Sequence, residues 1–77
     1  MQITVFAFAH TRDQLGFGEK VLTCEAQDTP RAILRRLAPR FDPGKTVRVA
    51  VDREYADWDQ PIGSASELAL IPPVSGG

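Results

Sequence analysis

The sequence predicts an α+β domain: a mixed sheet of four to five strands, one main helix and an extended C-terminal tail. Three observations carry this. Alternating apolar strands open and close the chain, a single well-capped helical segment lies between them, and the last seven residues read Ile71-Pro72-Pro73-Val74-Ser75-Gly76-Gly77. With 77 residues, a formal charge of −1 and 43% hydrophobic residues, the chain suits one soluble domain with a modest core. At this size about 60% of the unfolded surface can be buried, so an internal substrate cavity is not expected.

Gln2 to Ala9 reads as the first strand, with Ile3, Val5, Ala7 and Ala9 on one face and Phe6 and Phe8 on the other. Apolar groups on both faces suit a central position. The glycines of Leu15-Gly16-Phe17-Gly18 provide a turn, and Lys20 to Glu25 reads as a second strand hairpinned with the first. Asp28-Thr29-Pro30 is a helix start: Thr29 caps free amides, Pro30 suits the first helical position and Asp28 complements the positive dipole end. Ile33, Leu34, Leu37 and Phe41 then follow helical spacing, with Arg31, Arg35, Arg36 and Arg40 mostly opposite, until Pro39 stops or kinks the helix.

Asp42-Pro43-Gly44-Lys45 has the residue order of a type II turn and leads into Thr46 to Val51, where valines alternate with Arg48 and Ala50. Asp52-Arg53 is a tight reversal and Glu54 to Ala56 a short strand. An irregular loop around Trp58 precedes the last strand, Glu67 to Ile71. Several strand orders fit β-β-α-β-(β)-β. If the first and last strands are parallel neighbours, the result is a β-grasp, as in ubiquitin. The organisation is then a β-grasp domain over 1–71 and a flexible Gly-Gly tail over 72–77.

Within the chain no constellation suits a catalyst. His10 is solitary and reads as solvent-facing or capping; Cys24, in an apolar strand without flanking cations, reads as a buried structural thiol and permits no internal disulfide. Asp57 and Asp59 read as turn carboxylates lacking further metal ligands, and Gly16-Phe17-Gly18 is too short to cradle a phosphate. The helix arginines read as a solvated face with partner docking as the alternative, and Trp58 as a core lid or a contact residue. A charge near zero argues against general binding of nucleic acid or anionic membranes. No signal-peptide pattern or spanning apolar run follows Met1, so a cytoplasmic location is the expectation.

The ending is the remaining candidate. Two prolines stiffen its stem, and Pro72 to Gly77 reaches about 20 Å at roughly 3.3 Å per residue. Gly76 and Gly77 carry no Cβ, so they pass through a channel too narrow for side chains. The Gly77 carboxylate is ionised at neutral pH and a poor electrophile. Adenylation by an ATP-using partner would activate it, and sulfur delivery would then give a thiocarboxylate.

Taken with the ending Pro72-Pro73-Val74-Ser75-Gly76-Gly77, two further phrases bear a resemblance over essentially the whole length. Phe8-Ala9-His10-Thr11-Arg12-Asp13-Gln14-Leu15-Gly16 and Val49-Ala50-Val51-Asp52-Arg53-Glu54 resemble the Phe-Ala-x-x-Arg-Glu and Val-Ala-Val-Asn-x-Glu segments of the MoaD family. These are the ubiquitin-like sulfur carrier subunits of molybdopterin synthase. Departures are Ala7 in place of a phenylalanine before Phe8, Asp13 for Glu, Asp52 for Asn, and Ser64 to Leu68 for a Gly-Asp-Glu-Val turn.

The resemblance implies a carrier with no catalytic site and no bound cofactor of its own. Gly77 would be adenylated with MgATP by a MoeB-like enzyme and loaded by a sulfur donor system. A MoaE-like large subunit, in a heterotetramer, would then take the sulfur for cyclic pyranopterin monophosphate in molybdenum cofactor biosynthesis. Val74, Ser75 and Gly76 would line the inserted tail, and Phe8 and Arg12 would lie on the partner-binding surface. Two alternatives stay open at this point. One is a sulfur carrier for thiazole, cysteine or tRNA thiolation, or a lysine conjugate; the other is a binding module with a disordered tail.

Overall fold

In a computed structural model, residues 1–44 and 46–73 are described, apart from the side chain of His10. The elements are β1 (Gln2–Ala7), α1 (Ala9–Leu15), β2 (Glu19–Thr23), α2 (Pro30–Leu37), β3 (Arg48–Val51), β4 (Glu54–Ala56) and β5 (Glu67–Ile71). The five strands form one sheet in the order β2-β1-β5-β3-β4. β1 and β5 are parallel, pairing Val5 with Leu68 and Ala7 with Leu70, and all other pairs are antiparallel. The expected parallel contact between first and last strands is present, and the architecture is a β-grasp.

Alternation along each strand divides the sheet into two faces. Ile3, Val5, Val49, Leu68 and Leu70 are buried on one face and pack with Ile33 and Leu34 of α2. α2 begins as expected. Thr29 Oγ1 accepts from the Ala32 N–H at 3.1 Å, and Pro30 occupies the first turn. It closes at Leu37, before Pro39.

Three expectations are corrected. β1 ends at Ala7 rather than Ala9, and α1 is an additional short helix where the sequence predicts strand followed directly by turn. The cause is local. Thr11 is fully buried, its hydroxyl accepts from the Phe8 N–H at 3.1 Å and donates to the Phe8 carbonyl, and Gly16 ends the helix at φ +84°. These bonds satisfy backbone groups that a continuing strand would have paired elsewhere. β1 and β2 are therefore joined through α1 and not by a tight hairpin. Second, Cys24 lies one residue beyond β2, although it is buried as expected. Third, β3 starts at Arg48, two residues later than the alternation suggested.

The Asp52-Arg53 reversal joins β3 to β4 with φ of +49° and +72°, the left-handed pair of a type I′ turn. Asp52 also reaches across to β5, where its Oδ1 accepts from the Ser66 and Glu67 N–H groups at 3.0 Å each. The segment after β4 is pinned by Ile62 N–H to Asp28 O at 2.9 Å and Gly63 N–H to Ala26 O at 2.9 Å. Trp58 is half-buried against the core and donates from Nε1 to Val47 O at 3.2 Å, which makes it a lid.

Candidate functional site

The tail leaves the sheet from its middle. β5 lies between β1 and β3, ends at Ile71, and hands the chain to a half-buried Pro72 and an exposed Pro73. Val74, Ser75, Gly76 and Gly77, the expected threading segment and cargo site, lie outside the described residues. The described geometry nearest to them in the chain is the root at Ile71–Pro73 and the sheet around it.

On the β1 side of this root stands Phe8. Register places Ala7 opposite Leu70, so Phe8 comes next, alongside Ile71. The residue is 48% exposed, unusual for a phenylalanine and consistent with a contact surface. Its backbone is held by the two Thr11 hydrogen bonds. The next residue, Ala9, has φ +51°, a left-handed conformation that costs a non-glycine residue about 1 kcal/mol or more. Arg12 is exposed one turn into α1, with its N–H directed at Phe8 O at 3.4 Å. The side chain lies along Gly18, where an added Cβ would meet Arg12 Cδ at 3.1 Å. The two residues expected on the partner surface are thus brought together at one strand-to-helix corner.

Across the root, on β3, the structure adds residues that sequence reasoning did not select. Arg48 pairs in register with Ile71, and its guanidinium lies 4.1 Å from the centre of the Tyr55 ring. Tyr55 is 62% exposed and pairs with Ala50, which pairs in turn with Ala69. The sheet face away from α2 therefore carries Phe6, Phe8, Ala69, Ile71 and Tyr55 around the tail root, with Arg48 as the cation among them. A signal for this was present in the sequence. A two-residue reversal at Asp52-Arg53 fixes Ala50 opposite Tyr55, on the same face as Arg48.

The helix side has different chemistry. Arg31 pairs with Asp59 at 2.8 Å and Arg36 with Asp28 at 2.8 Å, so two of the helix arginines serve the domain's own carboxylates. The Glu25 N–H bonding to Asp28, aided by Arg36, holds that carboxyl below the usual aspartate range; Arg31 does the same for Asp59. An open groove of about 590 Å³ runs between Leu15 and Leu37–Asp42, and its lining holds no nucleophile. Among the described residues no group of three His, Cys, Asp or Glu could hold a metal, and no helix is long and apolar enough to cross a membrane.

The ThiS family profile matches residues 4–77, which includes both terminal glycines. The chain belongs to the ThiS family. Among curated relatives it is 31% identical over 81 residues to the molybdopterin synthase sulfur carrier subunit of Arabidopsis thaliana, covering 100% of this chain and 84% of that one. This agrees with the MoaD resemblance. Similar solved folds include a putative molybdopterin converting factor subunit 1 from Pyrococcus furiosus (TM-score 0.74, 21% identity, 96% of this chain and 99% of that one). A second is the Haloferax volcanii small archaeal modifier protein 1 (0.76, 21%, 95% and 98%). A third is a chain of the protein–protein complex of subunits 1 and 2 of the molybdopterin-converting factor from Helicobacter pylori (0.67, 20%, 100% and 100%).

Proposed function

We propose that this ThiS-family protein is the sulfur carrier subunit of a molybdopterin synthase, with the Gly77 carboxylate as its cargo site. The observation that carries the reading is the whole-chain match to a sulfur carrier subunit, together with a family match running through Gly76 and Gly77. Adenylation exchanges pyrophosphate for the Gly77 carboxylate on the α-phosphorus of ATP, at an activating enzyme that supplies the MgATP site. A sulfide-level donor then attacks the acyl carbon, AMP leaves, and the thiocarboxylate results.

The domain's own part is presentation. β5 projects the tail from the centre of the sheet, the prolines carry it clear, and the glycines fit a narrow channel. A large subunit would receive the tail against Phe8 and Arg12 and direct its sulfur to cyclic pyranopterin monophosphate, two carriers serving a large-subunit dimer in the cytoplasm. The Helicobacter complex of subunits 1 and 2 supports such a partner. In reconstitution with a large subunit and the precursor, thiocarboxylated protein is expected to form molybdopterin, and absence of product from a verified loaded carrier would reject the reading.

A second acceptor is favoured by one observation: the fold is equally similar to a small archaeal modifier protein. On that reading the same activated tail serves another thiolation pathway or a lysine. Product formed with a thiazole synthase or tRNA thiolase, and none with the large subunit, would select it.

A further inference from the structure

We propose that Arg48, stacked on Tyr55, is a specificity determinant for the large subunit, which meets it with an Asp or Glu side chain at the mouth of its tail channel. The inference rests on the carrier reading above and concerns a residue pair that the tail chemistry does not require.

Arg48 occupies the strand position opposite Ile71, the last residue of β5 before the proline stem. A protein that swallows the tail must therefore close over it. Around the root the open face is apolar, contributed by Phe8, Ile71, Ala69 and Tyr55, and such a face becomes dry when covered. A guanidinium enclosed there without an anion would be strongly unfavourable, so a complementary partner carries a carboxylate at this point. Among the described residues Arg48 is in no ion pair, whereas Arg31, Arg36 and Arg53 each have an acidic partner.

The guanidinium carbon lies 4.1 Å from the centre of the Tyr55 ring, a cation–π contact that restrains the head group. That is closer than the other cation–aromatic pairs among the described residues, Lys20 with Phe17 at 5.7 Å and Arg31 with Trp58 at 5.9 Å. Stacking leaves the N–H edge of the guanidinium free for a bidentate carboxylate and fixes its orientation before docking. Lysine has the charge but lacks the planar fork, so Arg48→Lys separates the two contributions.

The test measures affinity of the full chain for the large subunit at about 0.15 M salt, beside loading of the same proteins by the activating enzyme. Arg48→Glu is expected to weaken large-subunit binding at least about tenfold, and Arg48→Lys about threefold or more, with the Arg48→Glu loss shrinking at high salt. Arg40→Glu, the same charge change on the helix side, is expected to bind as the parent does. Thermal unfolding of each variant checks that the exposed Arg48 site has not altered the fold.

Binding of Arg48→Glu within about twofold of the parent overturns the proposal. So does a loading defect of the same size as the binding defect, which moves Arg48 to the activating enzyme. Equal losses for Arg40→Glu and Arg48→Glu also overturn it, because net charge alone then explains both. Failure of the carrier reading shows separately, as a parent protein that loads but yields no product or never loads.

Discussion

Asp52 shows how one side chain serves both backbone and sheet. Its φ of +49° is tolerated by aspartate and asparagine, and its Oδ1 joins the β3–β4 turn to the start of β5. Replacing it with alanine loses both and is expected to cost about 1–3 kcal/mol in denaturant unfolding. Asp52→Asn keeps the acceptor and the conformation and should change stability by less than about 1 kcal/mol. This explains why aspartate stands where the MoaD pattern has asparagine. The reversal itself was legible in the sequence; the clamp was not, because Ser66 and Glu67 are distant in the chain and meet Asp52 only after β3 and β5 pair. Arg48 and Tyr55 share a face through the same reversal, which the sequence shows; their place beside Ile71 was hidden, because it too depends on β3 pairing with β5.

At the level of elements, the strands and α2 were legible where local and tertiary preferences agree. Thr29-Pro30 supplies a cap and a first-turn proline, and Ile33 and Leu34 face a sheet of alternating valines, leucines and isoleucine. Thr29→Ala is expected to destabilise by about 1 kcal/mol, with the loss seen as a lower midpoint at unchanged denaturant slope. Leu68, with no exposure at the centre of the sheet, is worth more, and Leu68→Ala should cost about 2–5 kcal/mol. In a domain this small the larger value approaches the whole stability. α1 escaped notice because its seven residues are short for a helical period and its determinant, the buried Thr11 cap, acts through a side chain bonding to Phe8. That cap places Phe8 outward, so a local irregularity shapes the candidate contact surface.

Across the whole molecule, charge is divided by role. On the helix side Arg31 and Arg36 are neutralised by Asp59 and Asp28, while the open sheet face keeps a cation against Tyr55 beside the tail root. Because Asp28 and Asp59 titrate below the usual aspartate range when folded, their contribution is complete above that range and fades as pH falls through the lowered values. Unfolding midpoints followed below about pH 4 should therefore drop more steeply for the parent than for the Asp28→Asn, Asp59→Asn double variant. The tail was legible as composition, in two prolines and two glycines, and the carrier family with it; the acceptor was not, because a terminal carboxylate would be the same reagent in every pathway that uses it.

The most direct test of the central claim is intact mass after incubation with an activating enzyme, MgATP and a sulfur donor, for the full chain and a variant lacking Gly77. The account expects a gain of about 16 Da, sulfur for oxygen, on the full chain alone. An unchanged mass, with an enzyme that loads another carrier of the same pathway under the same conditions, would contradict it.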